Sequence, residues 1–137
     1  MIYIGIDTGV HTGYAEWDSV NKRFNTIGTI GICTAFDYVL KLRDIYSTSS
    51  ICVRFEDARQ RKWFGNADRE QLQGAGSIKR DCSIWEEFLT GKSIPFNAIP
   101  PRRNITKLSK ESFRKITGYD GRTSEHARDA AMLVFNL

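Results

Sequence analysis

Isoleucine occupies positions 2, 4 and 6, and Tyr3, Gly5 and Asp7 fill the places between. That period of two predicts a strand over Ile2–Asp7, with one apolar face and a second face that ends in a carboxylate. Thr8 to Gly13 reads as a turn, Tyr14 to Asp18 as a second strand, Asn21-Lys22 as another turn and Phe24 to Ile32 as a third strand. Connections this short join antiparallel neighbours, so the three strands form a meander. The period then changes. Phe36, Val39, Leu40 and Leu42 face the core from a helix over Thr34–Tyr46, which the polar run Ser47-Thr48-Ser49-Ser50 ends. Ile51 to Glu56 is a fourth strand, and a loop of basic and aromatic residues follows over Arg59–Asn66. From Ala67 to Leu89, the residues Leu72, Ala75, Ile78, Cys82, Trp85 and Leu89 recur every three or four positions, which predicts a long helix with one buried stripe. Gly74 and Gly76 lower helix propensity early in that stretch but permit close approach of another backbone. Gly91 closes the helix, Pro95–Ile99 is a short fifth strand, and two helices end the chain, Lys110–Thr117 behind Ser109 and Ser124–Phe135.

This order predicts an α/β fold: a five-stranded mixed sheet, three antiparallel strands then two parallel, with helices on both faces. The 137 residues fit a single domain, 1–137. A hydrophobic fraction of 41% with 26% charged residues describes a soluble globular protein. No run approaches the roughly 18 apolar residues of a membrane helix. The opening Met1–Asp7 lacks the basic segment of a signal peptide, so a cytoplasmic location and no membrane partner are expected. Cys33, Cys52 and Cys82 form no CxxC pair and are expected as small buried core residues, neither a disulfide framework nor a zinc site. Net charge is +4, and a succession of arginines and lysines between Arg54 and Arg128 suits a polyanionic partner, although many domains are mildly basic without one.

The chemistry lies in the acids. Asp7 and Glu56 each end an apolar strand, and two carboxylates delivered to neighbouring strand ends would form a site. His126 and Asp129 are three apart on the last helix and share a face. Glu125, in the first turn, is accounted for by the helix dipole. Asp129 lies a full turn in, among alanines, where a carboxylate needs a partner such as a metal. An oxygen-rich cluster selects Mg²⁺ or Mn²⁺ over zinc, and two such ions about 4 Å apart can cleave a phosphodiester by activating water and stabilising the leaving oxygen.

Ile4-Gly5-Ile6-Asp7-Thr8-Gly9 with Thr12-Gly13, then Phe55-Glu56, Leu72-Gln73-Gly74-Ala75-Gly76 and His126-Ala127-Arg128-Asp129-Ala130, occur in the order and spacing of one family. The chain resembles the RuvC family of Holliday-junction resolvases, within the RNase H-like superfamily. The resemblance implies a metal-dependent DNA endonuclease that resolves four-way junctions, with Asp7, Glu56, His126 and Asp129 as catalytic metal ligands for two Mg²⁺ or Mn²⁺ ions. It also implies a homodimer, with the long helix at or near the interface. Two departures stand out: Thr8 replaces the proline usual after the first Asp, and His126 stands where many members have an acid. The compact length is similar to phage-encoded versions, for which the compartment would be a bacterial host's cytoplasm.

In the same frame, Arg59, Arg61 and Lys62 would neutralise phosphates beside the metals, and Trp63 or Phe64 would wedge into an unstacked junction centre. The alternative for the two aromatics is simple packing of the loop onto the body. Lys79 and Arg80 on the long helix, with Arg102, Arg103, Lys107 and Lys110, offer further DNA-binding positions, unless they form an ordinary solvated basic face. Two other functions share this pattern: an RNase H-like nuclease acting on flaps, other branched DNA or RNA–DNA hybrid, and a non-catalytic DNA-binding module. Three mutually repelling carboxylates argue against the module. A sugar-kinase or actin-like ATPase also opens on a strand, an Asp and a glycine turn, but needs two such domains.

Overall fold

The computed structural model describes residues 1–60, 69–101 and 107–137, and the backbone alone over 69–72. The strands are β1 (Ile2–Asp7), β2 (His11–Asp18), β3 (Arg23–Gly31), β4 (Ile51–Glu56) and β5 (Phe96–Ile99). The helices are α1 (Ile32–Tyr46), α2 (Arg69–Gly91), α3 (Lys110–Thr117) and α4 (Glu125–Met132). The strands lie in the order β3-β2-β1-β4-β5. Both β1–β2 and β2–β3 are antiparallel, and both β1–β4 and β4–β5 are parallel. This is the mixed sheet the alternation predicts.

The isoleucine face of β1 carries the larger core. Ile2, Ile4, Ile6, Val53 and Phe55 pack with Val39 and Leu42 of α1 and with Cys82, Trp85 and Leu89 of α2. Each such side chain, fully buried, contributes about 1.5–3 kcal/mol through removal of apolar surface from water. The opposite face carries a second core, in which Ala15, Trp17 and Ile27 meet Phe113 of α3 and Ala127, Ala130, Ala131 and Val134 of the C-terminal segment. Helices therefore cover both faces. No helix among the described residues is long and apolar enough to cross a membrane.

Four details depart from the pattern-based expectation. β2 begins at His11, because its ladder with β3 already pairs His11 with Gly31. The turn after β1 is thus short, closed by Thr12 Oγ1 donating to Gly9 O at 2.7 Å. α4 stops at Met132, where three-residue turns take over: Leu133 N donates to Ala130 O and Val134 N to Ala131 O, both at 3.2 Å. Only Cys82 of the cysteines is buried; Cys33 is exposed and Cys52 half-buried, and all three are free thiols. Cys33 sits at the start of α1 and faces outward. Cys52 alternates with the core residues of β4 onto the other face.

The fourth concerns α2. Among its described side chains, the apolar stripe is buried only from Cys82 onward, and Ile78 is 45% exposed. A helix of 23 residues extends for about 34 Å. The six residues of β4 span only about 20 Å. One end of the helix must overhang the sheet, and it is the end that carries Gly74, Gly76 and Ile78.

Candidate active site

Parallel pairing of β1 with β4 sets Ile6 beside Phe55, so the next residues, Asp7 and Glu56, end adjacent strands at one edge of the sheet. By alternation both project from the face opposite the isoleucines, the face that α4 crosses. Two glycines let that helix come close. A Cβ on Gly5 would lie 2.0 Å from Ala130 O, and one on Gly13 would lie 2.0 Å from His126 O. Since Gly13 is the ladder partner of Asp7, the first turn of α4 lands on the end of β1. His126 Nδ1 is 2.7 Å from Asp7 Oδ2 as a result, and Asp129 follows one turn along the same helix face.

The start of α4 is held on three sides. Ser124 Oγ caps it, accepting from Ala127 N at 3.1 Å, and forms a 2.5 Å hydrogen bond with Thr29 of β3. Arg128 Nε donates to Leu108 O at 2.8 Å, tying in the segment before α3. The turn after β1 is also anchored: Thr8 Oγ1 lies 3.4 Å from Cys82 Sγ, and that thiol donates weakly to Glu56 O at 3.5 Å. Thr8, where a proline is usual in the resembled family, thus joins the turn to α2 through its hydroxyl.

Asp7, Glu56, His126 and Asp129 all border one cavity of about 750 Å³, which α2 closes with Ala75, Ile78 and Lys79. Burial raises the Asp7 carboxyl above the usual range, against the lowering effect of the His126 hydrogen bond. Burial raises Asp129 as well, and the negative charge of Asp7 adds to it. Lys107 reaches in from the segment before α3. Its ammonium is hydrogen-bonded to Glu125 and lies 3.9 Å from Asp129 Oδ2. That pairing lowers the Glu125 carboxyl and raises the Lys107 ammonium. His126 therefore faces the acids, and Glu125 is committed to a lysine.

Among the described residues, no three His, Cys, Asp or Glu side chains already converge tightly enough to hold an ion. The donors nevertheless fit a hard divalent cation in kind. Asp7, Glu56, Asp129 and His126 border one cavity, with Asp81 and His11 also in its lining, and the ionisation of Asp7 and Asp129 is opposed by burial, a penalty that an added cation would relieve.

The other sequence-predicted positions divide. Arg59 does not face the cavity as a spare cation. Its guanidinium clasps Asp57 at 2.7 and 2.9 Å and Glu86 of α2 at 2.5 Å. Asp57 is only 3% exposed, and a buried carboxylate demands such a partner. Lys107 is likewise engaged by Glu125. Lys79 borders the cavity, while Arg80 and Lys110 are exposed. Arg61, Lys62, Trp63, Phe64, Arg102 and Arg103 lie outside the described residues. Three ionisable residues of the cavity escaped the sequence reading, His11, Arg54 and Asp81. For Arg54 the signal was available: it alternates in phase with Glu56 and so shares its face.

No protein-family model matches the chain, and no curated protein matches it. Among solved structures, it is similar to T. thermophilus RuvC in complex with a Holliday junction substrate, with a TM-score of 0.61 and 17% identity over 99% of this chain and 92% of that one. Likeness at that identity speaks for architecture: with its β3-β2-β1-β4-β5 sheet, this chain has the RNase H-like fold of that structure.

Proposed function

We propose that the protein is a metal-dependent, structure-selective endonuclease that hydrolyses phosphodiesters at four-way DNA junctions. The observation that carries this reading is the convergence of Asp7, Glu56, His126 and Asp129, from three separate elements, on one cavity. It is supported by a fold shared along nearly the whole chain with a protein bound to such a junction.

Asp7, Glu56 and Asp129, with His126 alongside, would hold Mg²⁺ or Mn²⁺. Bound there, the ions would supply an activated water and stabilisation of the leaving oxygen. The protein's own groups do the positioning. The hydrogen bond between His126 Nδ1 and Asp7 Oδ2 fixes the rotamer of Asp7, and a ring that donates from Nδ1 would keep the Nε2 lone pair for the metal or a proton. Lys107 holds Glu125 away from the cluster and offsets its negative charge. Lys79, on the overhanging part of α2, presents a cation to the DNA backbone. Symmetric cleavage of two strands requires two such sites, hence a homodimer with α2 at or near its interface.

The test is incubation of the purified protein with a synthetic four-way junction, a flap, an RNA–DNA hybrid and a linear duplex, with and without Mg²⁺ or Mn²⁺. Metal-dependent, symmetrically paired cuts in the junction are expected. Equal cutting of all four substrates would remove junction selectivity, and no cutting of any would remove the nuclease.

A further inference from the structure

We propose that Arg54 is a phosphate-binding residue of this cavity, its guanidinium receiving a non-bridging oxygen of the DNA backbone beside the carboxylate cluster. The proposal rests on the nuclease reading for the identity of its ligand, and on separate observations for its existence.

Arg54 lies in the middle of β4, between Gly5 of β1 and Asn97 of β5 in the ladder. The odd-numbered neighbours Val53 and Phe55 are fully buried in the larger core. Arg54 points the other way, in phase with Glu56, and borders the cavity that Asp7, Glu56 and Asp129 share. An interior strand position is a poor place for a guanidinium unless something meets it. Its Nε is buried and has no hydrogen-bond partner. Among the described residues no carboxylate lies within ion-pair distance of it. The charges that act most on Asp7 are those of His126, Lys107 and Glu125, and those on Asp129 are the same three and Asp7.

A buried donor left unmade is costly, and native proteins retain few of them. The other such atom among the described residues is Trp85 Nε1, on an indole that belongs to the large apolar core. Arg54 differs because it borders an open cavity wide enough for a ligand. Among the described residues, two other cations near the strand ends are occupied, Arg59 by Asp57 and Glu86 and Lys107 by Glu125, while Lys79 borders the cavity from α2. A planar fork of N–H donors matches the paired oxygens of a phosphodiester better than an ammonium does. The same fork would repel a free metal ion. Its useful partner in this cavity is therefore the anionic substrate that arrives with the metal, whose charge it would share with the carboxylate-bound cation.

Two measurements test this. In the first, the Nε–H resonance of Arg54 is followed by NMR in chelator while thymidylyl-thymidine, a single phosphodiester, is titrated at constant ionic strength. A saturable shift is expected, with none from added chloride. In the second, junction binding is measured for wild type, Arg54→Met and Arg54→Lys across salt concentrations. Arg54→Met should weaken binding about ten- to a hundredfold, the scale of one charged hydrogen-bonding contact. It should also reduce the slope of log affinity against log salt by about one. Arg54→Lys should recover the slope while leaving part of the affinity loss.

A silent resonance together with unchanged junction binding in Arg54→Met overturns the proposal and leaves the nuclease standing. A responsive resonance in a protein that neither binds nor cuts any branched DNA overturns the nuclease reading and leaves the phosphate site. Should Arg54→Met fail to fold, the resonance titration on wild type decides alone.

Discussion

Asp129 shows how a single residue sets stability against chemistry. Its carboxyl is raised by burial and by Asp7, so the folded state binds that proton more tightly than the unfolded chain does. Stability from this group is then present below the ordinary carboxylate range, near 3.9. It is lost as pH rises through the unfolded and then the folded value. At neutral pH, Asp129→Asn should melt at a higher temperature than wild type, converge with it in acid, and have no metal-dependent cleavage. A lower neutral melting temperature, read by circular dichroism, would contradict the electrostatics; wild-type cleavage would contradict the role. His126 and Glu125 are separable by the same logic. Since His126 meets Asp7 while Glu125 is held by Lys107, His126→Ala should change the ratio of Mn²⁺- to Mg²⁺-supported rates, because nitrogen favours Mn²⁺. Glu125→Ala should leave that ratio near wild type, and the reverse result would reassign the residue. That a histidine and an acid three apart share a helix face could be read from spacing alone. That His126 bonds Asp7 could not, because it depends on how deeply α4 sits against the sheet.

The depth of that seat is a property of elements. Gly13→Ala forces a methyl against His126 O, a backbone atom that cannot rotate away, so α4 must lift. The expected loss is about 3 kcal/mol or more, at the upper end of overpacking. Cleavage should fall further than stability explains, because the lift carries His126 and Asp129 away from Asp7. The contrast is Gly74→Ala on the overhanging part of α2. A Cβ there meets nothing within 4 Å among the described residues, so the helix should gain about 0.5–1 kcal/mol. Chemical denaturation of the pair checks both signs; equal effects would mean that the α4 contact is not the tight one. The strands and their mixed antiparallel and parallel pairing were legible because a period of two and short connections leave few alternatives; the order of the strands across the sheet was not. The overhang of α2 was not, because a helical stripe in Ala67–Leu89 looks the same whether or not a sheet lies beneath it. Arg54 was overlooked for a different reason: its face could be read from its phase with Glu56, but whether a partner meets its guanidinium there depends on how the neighbouring elements sit.

At the scale of the whole molecule, the basic surface makes a collective prediction. If phosphates provide the affinity, log binding constant should fall linearly with log salt, by about 0.9 for each phosphate neutralised. A flat titration would remove nucleic acid as the partner. Arg59→Ala should leave that slope unchanged and lower thermal stability instead, because its guanidinium joins Asp57 to α2. The contact between His126 and Asp7 spans 119 positions of sequence, and this has a consequence for biosynthesis. A chain emerging from the ribosome acquires Asp7 long before Asp129. The meander and the β1–β4 pairing can assemble during synthesis, but the cluster stays open until α4 settles onto Gly5 and Gly13. The assembled cluster is therefore absent from the nascent chain until α4 has been made, and that helix acts as its timer.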